Sequence, residues 1–130
     1  MPAIATAKGV RMPDRKVGVV AALVRGRTVQ DAIVILEHTP KRAAKVLIKV
    51  INSAKANADF NHNYKPQTLT ISEISVTPGP SLKRFKPAAR GRALPYLKRS
   101  SHIRVVVDGE KREIKSKVKQ VAEAKEDKKE

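Results

Sequence analysis

The sequence contains no cysteine and no tryptophan, and only four aromatic residues in 130: Phe60, Tyr64, Phe85 and Tyr96. Without cysteine there is no disulfide framework, no thiol nucleophile and no cysteine-based zinc site, a usage that fits a reducing compartment. So few aromatics leave little from which to build the stacking platforms of single-strand readers. Long apolar runs are missing too. The longest, residues 17–24 with Gly18 inside it, spans eight residues against the ~20 needed to cross a bilayer. The N-terminus has no charged-then-apolar leader pattern, so the expectation is a soluble, unsecreted, cytoplasmic protein with no membrane insertion. Acids are the last shortage, at 12 against 28 Lys and Arg, which gives a formal charge of +16.

A charge of that size opposes compaction by self-repulsion, and its natural partner is a polyanion. Nucleic acid leads, with an anionic membrane surface second. Length allows one domain, and a chain of this size buries roughly two thirds of its unfolded surface, enough for a core without staples. The charge is unevenly spread. Residues 1–77 carry 12 basic and 5 acidic side chains, residues 78–107 carry 8 basic and none acidic, and residues 108–130 carry 8 and 7. Solvated faces normally mix both signs, so an acid-free stretch points to a ligand.

Ala3–Val10 reads as an extended strand. Pro13 suits a first helical turn and Asp14 the positive end of the helix dipole. Val17, Val20, Ala21 and Val24 then recur at i, i+3, i+4 and i+7, and Gly26 closes that helix. Thr28 to Asp31 opens a second helix as a capping-box variant with Asp for Glu, and Ala32, Ile35 and Leu36 are its expected core stripe. That helix should stop near His38, because Pro40 disfavours helical geometry at Thr39. Thr39-Pro40 is expected to serve as N-cap and first position of a third helix running from residue 41 to about 61. Its core positions are Ala43, Leu47, Val50, Ile51, Ala54 and Ala58, while Lys41, Lys45 and Lys49 form a second stripe with no acid between them. Leu69 to Val76 is β-type, with an alternation that changes phase between Ile71 and Ile74, which means either a bulge or a strand that alters which face it buries. A further strand covers residues 101–107. Elements in this order predict an α+β fold: three helices on a small three-stranded antiparallel sheet.

Between the last two strands lies the basic segment. If its flanks pair, it becomes one long protruding β-hairpin over residues 78–100, eleven residues per arm and roughly 35 Å long. Pro78, Pro80, Pro87 and Pro95 remove ladder donors but stiffen the backbone, and Ala88, Ala89, Gly91 and Ala93 leave a slim tip. Such a finger suits insertion between RNA helices. Composition alone also allows a disordered basic linker, the lesser reading, but a linker has no need to begin and end in pairable β-sequence.

With those residues in view, the chain resembles the bacterial-type twenty-second protein family of the large ribosomal subunit. The resemblance is carried by Arg11-Met-Pro-Asp-Arg15-Lys16-Val17, Arg25-Gly26-Arg27, Thr39-Pro40-Lys41-Arg42-Ala43-Ala44 and Asn52-Ser53-Ala54-Lys-Ala56-Asn57-Ala58. The finger adds Gly79-Pro80-Ser-Leu-Lys83-Arg84-Phe85, Pro87, Gly91-Arg92-Ala93 and Lys98-Arg99-Ser-Ser101-His102-Ile103. It implies a globular part near the polypeptide exit and a hairpin within large-subunit ribosomal RNA whose tip lines the nascent-chain tunnel. The implied tip is Pro87, Ala88, Ala89, Arg90, Gly91, Arg92 and Ala93. Charge pattern and resemblance together assign RNA contact to Lys8, Arg11, Arg15, Lys16, Arg25, Lys41, Arg42, Lys45, Lys83, Arg84, Phe85, Lys86, Arg90, Arg92, Lys98, Arg99, Ser101 and His102. Implied partners are ribosomal RNA, neighbouring large-subunit proteins and the nascent polypeptide, with no homo-oligomer. Two departures stand out: Ala88 replaces a usual Arg, and Leu94-Pro95-Tyr96 replaces a more basic returning arm. Residues 1–107 form the expected RNA-binding domain. Residues 108–130 exceed the usual family end and read as a short strand or helix around Ile114, Val118 and Val121, then a disordered Glu/Lys tail.

Two rival functions are weaker. Ser100, Ser101, His102 and Asp108 suggest a triad, but triads are assembled across a fold and neighbouring strand residues point to opposite faces. The three histidines show no ligand spacing and no phosphate-binding glycine loop occurs, so no metal, no cofactor and no enzyme is expected. A DNA-bending architectural protein would use proline-tipped basic arms, normally two from a symmetric dimer. This chain has one, and no dimerising heptad.

Overall fold

The structure, a computed structural model, describes residues 2–112. Strand β1 (Ala3–Val10) turns Ala3 and Ala5 into the core. Helix α1 (Asp14–Val24) buries the expected stripe of Val17, Val20, Ala21 and Val24. Pro13 is its N-cap, one place earlier than expected, with ψ 140° still extended. Helix α2 (Val29–Glu37) has the capping Thr28, whose hydroxyl oxygen accepts from the Asp31 N–H at 3.2 Å. That hydroxyl in turn donates to Asp31 Oδ2 at 2.7 Å. Asp is a methylene shorter than Glu, so its carboxylate meets the hydroxyl where a capping box would reach the Thr28 N–H. Val29, Ala32 and Leu36 are buried, and Ile35, expected among them, is only half-buried.

Helix α3 (Arg42–His62) buries Ala43, Ala44, Leu47, Val50, Ile51, Ala54 and Ala58. Thr39-Pro40 does not open it. Lys41 is the N-cap, without a side-chain bond, because the Thr39 hydroxyl is spent on α2, donating to the Ile35 carbonyl at 2.7 Å. His38 caps the same end of α2, with Nδ1 2.9 Å from the Val34 carbonyl.

Strands β2 (Thr70–Pro78), β3 (Leu82–Pro87), β4 (Ala93–Lys98) and β5 (Ser101–Asp108) complete the described elements. They form two antiparallel sheets: β1-β5-β2, and a separate β3-β4 pair. The pairing of β2 with β5 shifts register between Ile71 and Glu73, so of the two arrangements that the phase change allows, the strand has the bulge. It lets both Ile71 and Ile74 face inward. Helix α3 packs on β1 and β5, α1 packs on β2, and α2 lies against α1 and α3. The fold is α+β, with its core between helices and sheet. Beyond β5, the chain stays on the body through the Tyr64–Lys111 bridge and an Arg112–Asp59 ion pair at 2.6 Å. The expected strand or helix around Ile114 and the tail after it lie outside the described residues.

The link from α1 to α2 runs along the free edge of β2. Gly26 N–H donates to the Ile71 carbonyl at 3.1 Å, and Ile71 N–H donates to the Arg27 carbonyl at 2.9 Å. Gly26 makes that approach at φ 76°, with open space where a Cβ would stand. The penalty of a side chain is therefore conformational alone. Gly26→Ala is expected to destabilise the protein by about 1 kcal/mol, read from the shift in urea midpoint at constant slope.

Candidate nucleic-acid interface

The acid-free segment becomes a two-stranded ribbon. Leu82 to Pro87 pairs residue by residue with Lys98 to Ala93. All twelve side chains are exposed, and no buried residue lies between Ile74 and Ser101. The regular arms are six residues each, about 20 Å at ~3.3 Å per residue. The expected unbroken arms of eleven are interrupted at the base. The last body pair is Pro78 with Ser101 and the first ribbon pair is Leu82 with Lys98, so residues 79–81 oppose only residues 99 and 100. Proline at 80 removes one ladder donor there. Gly79 N–H donates to the Ser100 carbonyl at 2.9 Å, and the Ser100 hydroxyl donates to the Pro80 carbonyl at 2.6 Å.

At the tip, Ala88 N–H donates to the Arg92 carbonyl at 2.7 Å. Arg90 and Gly91 make the reversal at φ 57° and 68°. Counting back from that bond, the pairs Phe85–Pro95 and Pro87–Ala93 fall at positions where backbone N–H groups point away from the partner strand. Both prolines thus sit where a missing donor breaks no rung.

The body contributes a cleft of about 740 Å³ between the start of α1 and the start of α3, lined by Arg11, Met12, Pro13, Arg15, Lys16, Val19, Lys41, Arg42 and Ala43. Five of those nine residues are cationic, and no acid lies among them. The uncapped N-terminus of α3 adds the positive end of a 21-residue helix. A second groove runs up the base of the ribbon between Gly9, Arg11, Leu82, Arg84, Tyr96, Lys98 and Arg99. Arg11 lines both. A third depression shares Lys41 and Arg42 with the first and adds Lys45, with Glu37 also in its lining. From Lys45 through Arg11 to Arg84 the cations form one continuous track across the joint between body and ribbon. Among the described residues the only ion pairs are Lys65–Glu110 and Arg112–Asp59. Every cation of the track is without a carboxylate partner there.

Not every assigned residue joins this track. Lys8 is exposed on β1, apart from the grooves. Arg25 is tied down at the edge of β2, its Nη2 donating to the Ile74 carbonyl at 3.0 Å. Lys86, Arg90 and Arg92 are exposed toward the tip. Lys83 and Phe85 occupy the other face of the ribbon, since alternate residues point to opposite faces. Ser101 is a correction: it is fully buried and its Oγ has no hydrogen-bond partner. Strand alternation puts it on the core side with Ile103, so its hydroxyl reaches no surface ligand. His102 is half-buried, and its Nδ1 accepts from the Gly9 N–H at 3.0 Å. It fastens β5 to the irregular end of β1, two residues before Arg11.

Sequence reasoning missed Tyr96, which lies on the cationic side of the ribbon with Lys86 Nζ 5.5 Å from its ring centroid. The available signal was the tip: once Ala88 is paired with Arg92, counting back places Tyr96 opposite Arg84. Among the described residues no group of His, Cys, Asp and Glu could hold a metal ion, and no helix is long and apolar enough to cross a membrane.

The family described as ribosomal protein L22p/L17e matches residues 5–108. The chain is similar to the large ribosomal subunit protein uL22 of Clostridium novyi (strain NT), 53% identical over 107 residues, covering 82% of this chain and 96% of that one. It is 50% identical over 111 residues to the protein of that name from Clostridioides difficile (strain 630), covering 85% of this chain and all of that one. The corresponding protein of Latilactobacillus sakei subsp. sakei (strain 23K) is 50% identical over 105 residues, 81% of this chain and 90% of its own length.

Proposed function

Because this chain belongs to the ribosomal protein L22p/L17e family, we propose that its cationic track is the seat of large-subunit ribosomal RNA and that its ribbon runs into the nascent-chain exit tunnel. The protein is a structural constituent of the large ribosomal subunit in the cytoplasm, and not an enzyme. The observation that carries the RNA reading is the continuity of unpaired cations from Lys45 through Arg11 to Lys98 and Arg84. RNA phosphates supply the negative charge that the chain itself withholds. The body holds the RNA on the cleft between α1 and α3, and the ribbon carries the same contact outward. The slim reversal at residues 88–92, with no side chain larger than Ala except its two arginines, passes between RNA helices and lines the tunnel, beside the growing polypeptide. The body lies near the exit, among neighbouring large-subunit proteins.

The test is sedimentation of the native protein from its own cells. It should co-sediment with large subunits and stay with them through a high-salt wash that strips loosely bound factors. Release into the supernatant at that salt, with other integral proteins retained, would count against a built-in role.

A further inference from the structure

The ribbon register sorts its side chains into two unlike faces. Directly paired residues share a face and alternate along the strand. One face therefore carries Leu82, Arg84, Lys86, Leu94, Tyr96 and Lys98, and the groove at the ribbon base and the Lys86–Tyr96 contact both place these side chains together. The opposite face carries Phe85 against Pro95, Pro87 against Ala93, and Leu97 against Lys83. It has one charge, and Phe85 stands 71% exposed on it.

We propose that this second face, centred on Phe85 and Pro95, is a seat for unpaired nucleobases, so that the ribbon holds a phosphate backbone on one side and unstacked bases on the other. The proposal rests on the RNA reading of the ribbon and goes further, naming the part of the RNA that each face takes. The occupant follows from charge. Residues 78–107 contain no acid, so a ligand on this face lies within a positive field and beside Lys83. An unpaired RNA strand offers what that combination needs: flat apolar rings for the Phe85 ring and the Pro95 edge, and a phosphate for Lys83. A second copy of the chain would bring Lys83 against Lys83 and one cationic ribbon against another. The pairs on this face are also the closely spaced, non-hydrogen-bonded ones, which draws Phe85 and Pro95 into one continuous platform. Of the four aromatics, Tyr64 is buried and Tyr96 is engaged by Lys86, leaving Phe85 as the free ring on the ribbon.

The experiment uses the full-length protein with two probes, a single-stranded oligoadenylate and an RNA duplex of equal length and mixed sequence, each titrated over a range of salt. Extrapolation to 1 M salt removes the counterion contribution and leaves the contacts that stacking supplies. Phe85→Leu keeps an apolar side chain at an exposed site but removes the ring. It should weaken the extrapolated oligoadenylate affinity about tenfold, leaving the salt slope and the duplex affinity unchanged. The pair Arg84→Gln with Lys98→Gln should instead lower both affinities and flatten both slopes by about 1–2. An unchanged or equal response of the two probes to Phe85→Leu overturns the proposal, as does a concentration-dependent dimer that Phe85→Leu abolishes. If the Arg84 and Lys98 pair alters neither slope, the RNA reading of the ribbon fails with it. If that pair behaves as expected while Phe85→Leu is silent, only the assignment of the second face fails.

Discussion

Deleting residues 83–99 is expected to flatten the salt dependence of RNA binding by about 5 in log–log slope while leaving the body folded. The segment carries seven basic residues, Lys83, Arg84, Lys86, Arg90, Arg92, Lys98 and Arg99, and no acid. At ~0.7–0.9 in slope for each phosphate neutralised, seven contacts account for a change of about 5–6. Between 50 and 200 mM salt a contribution of that size is worth about three decades of affinity. Loss of the ribbon should therefore be most visible at low salt and shrink as salt rises. The body has little reason to respond. No buried residue lies between Ile74 and Ser101, and the Gly79–Ser100 and Ser100–Pro80 bonds close the stump. A single cooperative melt near the parent temperature checks this. Replacing the seven cations with Gln in the intact chain separates charge from shape. It should reproduce the slope change, since the ribbon's backbone and Phe85 remain. An unchanged slope in both variants would move the phosphate contacts entirely onto the body cleft around Arg11, Arg15, Lys16, Lys41 and Arg42.

The features readable from sequence are those set by local spacing. The stripe Val17, Val20, Ala21 and Val24 and the α3 series from Ala43 to Ala58 are both buried as their periodicity predicts. The phase change between Ile71 and Ile74 located an irregularity to within two residues but allowed either a bulge or a change of buried face, and only the pairing with β5 makes it a bulge. Misreadings arose where a side chain had two possible employers. Thr39 is as good an N-cap for α3 as it is a closing residue for α2, and only the fold shows its hydroxyl bound to Ile35. Ser101 sits beside Arg99 in sequence, yet strand parity sends it inward. The track was unreadable for a different reason. Lys41 and Arg42 are 26 to 31 positions from Arg11 and Arg15 along the chain, and only packing of α3 against α1 and β1 brings them to one cleft. The two faces of the ribbon depend on a single register at the tip. Had the reversal closed one residue away on one arm, the cross-strand partners of Phe85 and Arg84 would each change, and the apolar platform would be broken.

Leu47→Ala is expected to cost about 2–5 kcal/mol, a large share of the ~5–15 kcal/mol that holds a domain of this size together. Leu47 is fully buried midway along the inward stripe of α3. That helix is packed on β1, β5, α1 and α2 alike, so a cavity there loosens contacts with four other elements at once. Collapse around the cavity is limited on its N-terminal side, where the buried α3 neighbours at i−3 and i−4, Ala44 and Ala43, are alanines with no longer rotamer to swing into the space. The upper part of the range is therefore expected. At roughly 4 °C or more per kcal/mol the melting temperature should fall by at least about 10 °C. Phe60→Ala, on the same helix, removes a larger side chain that is 82% exposed, and it should change stability by no more than about 0.5 kcal/mol. The contrast isolates burial from size. It also separates folding from binding: well below its lowered melting temperature, Leu47→Ala should bind RNA with the parent's affinity and salt slope, because the cations of the track sit outside the core it damages. A loss of slope in Leu47→Ala at full folding would mean that the cleft between α1 and α3 is held in shape by core packing, and that the track is a property of the body's rigidity as much as of its charges.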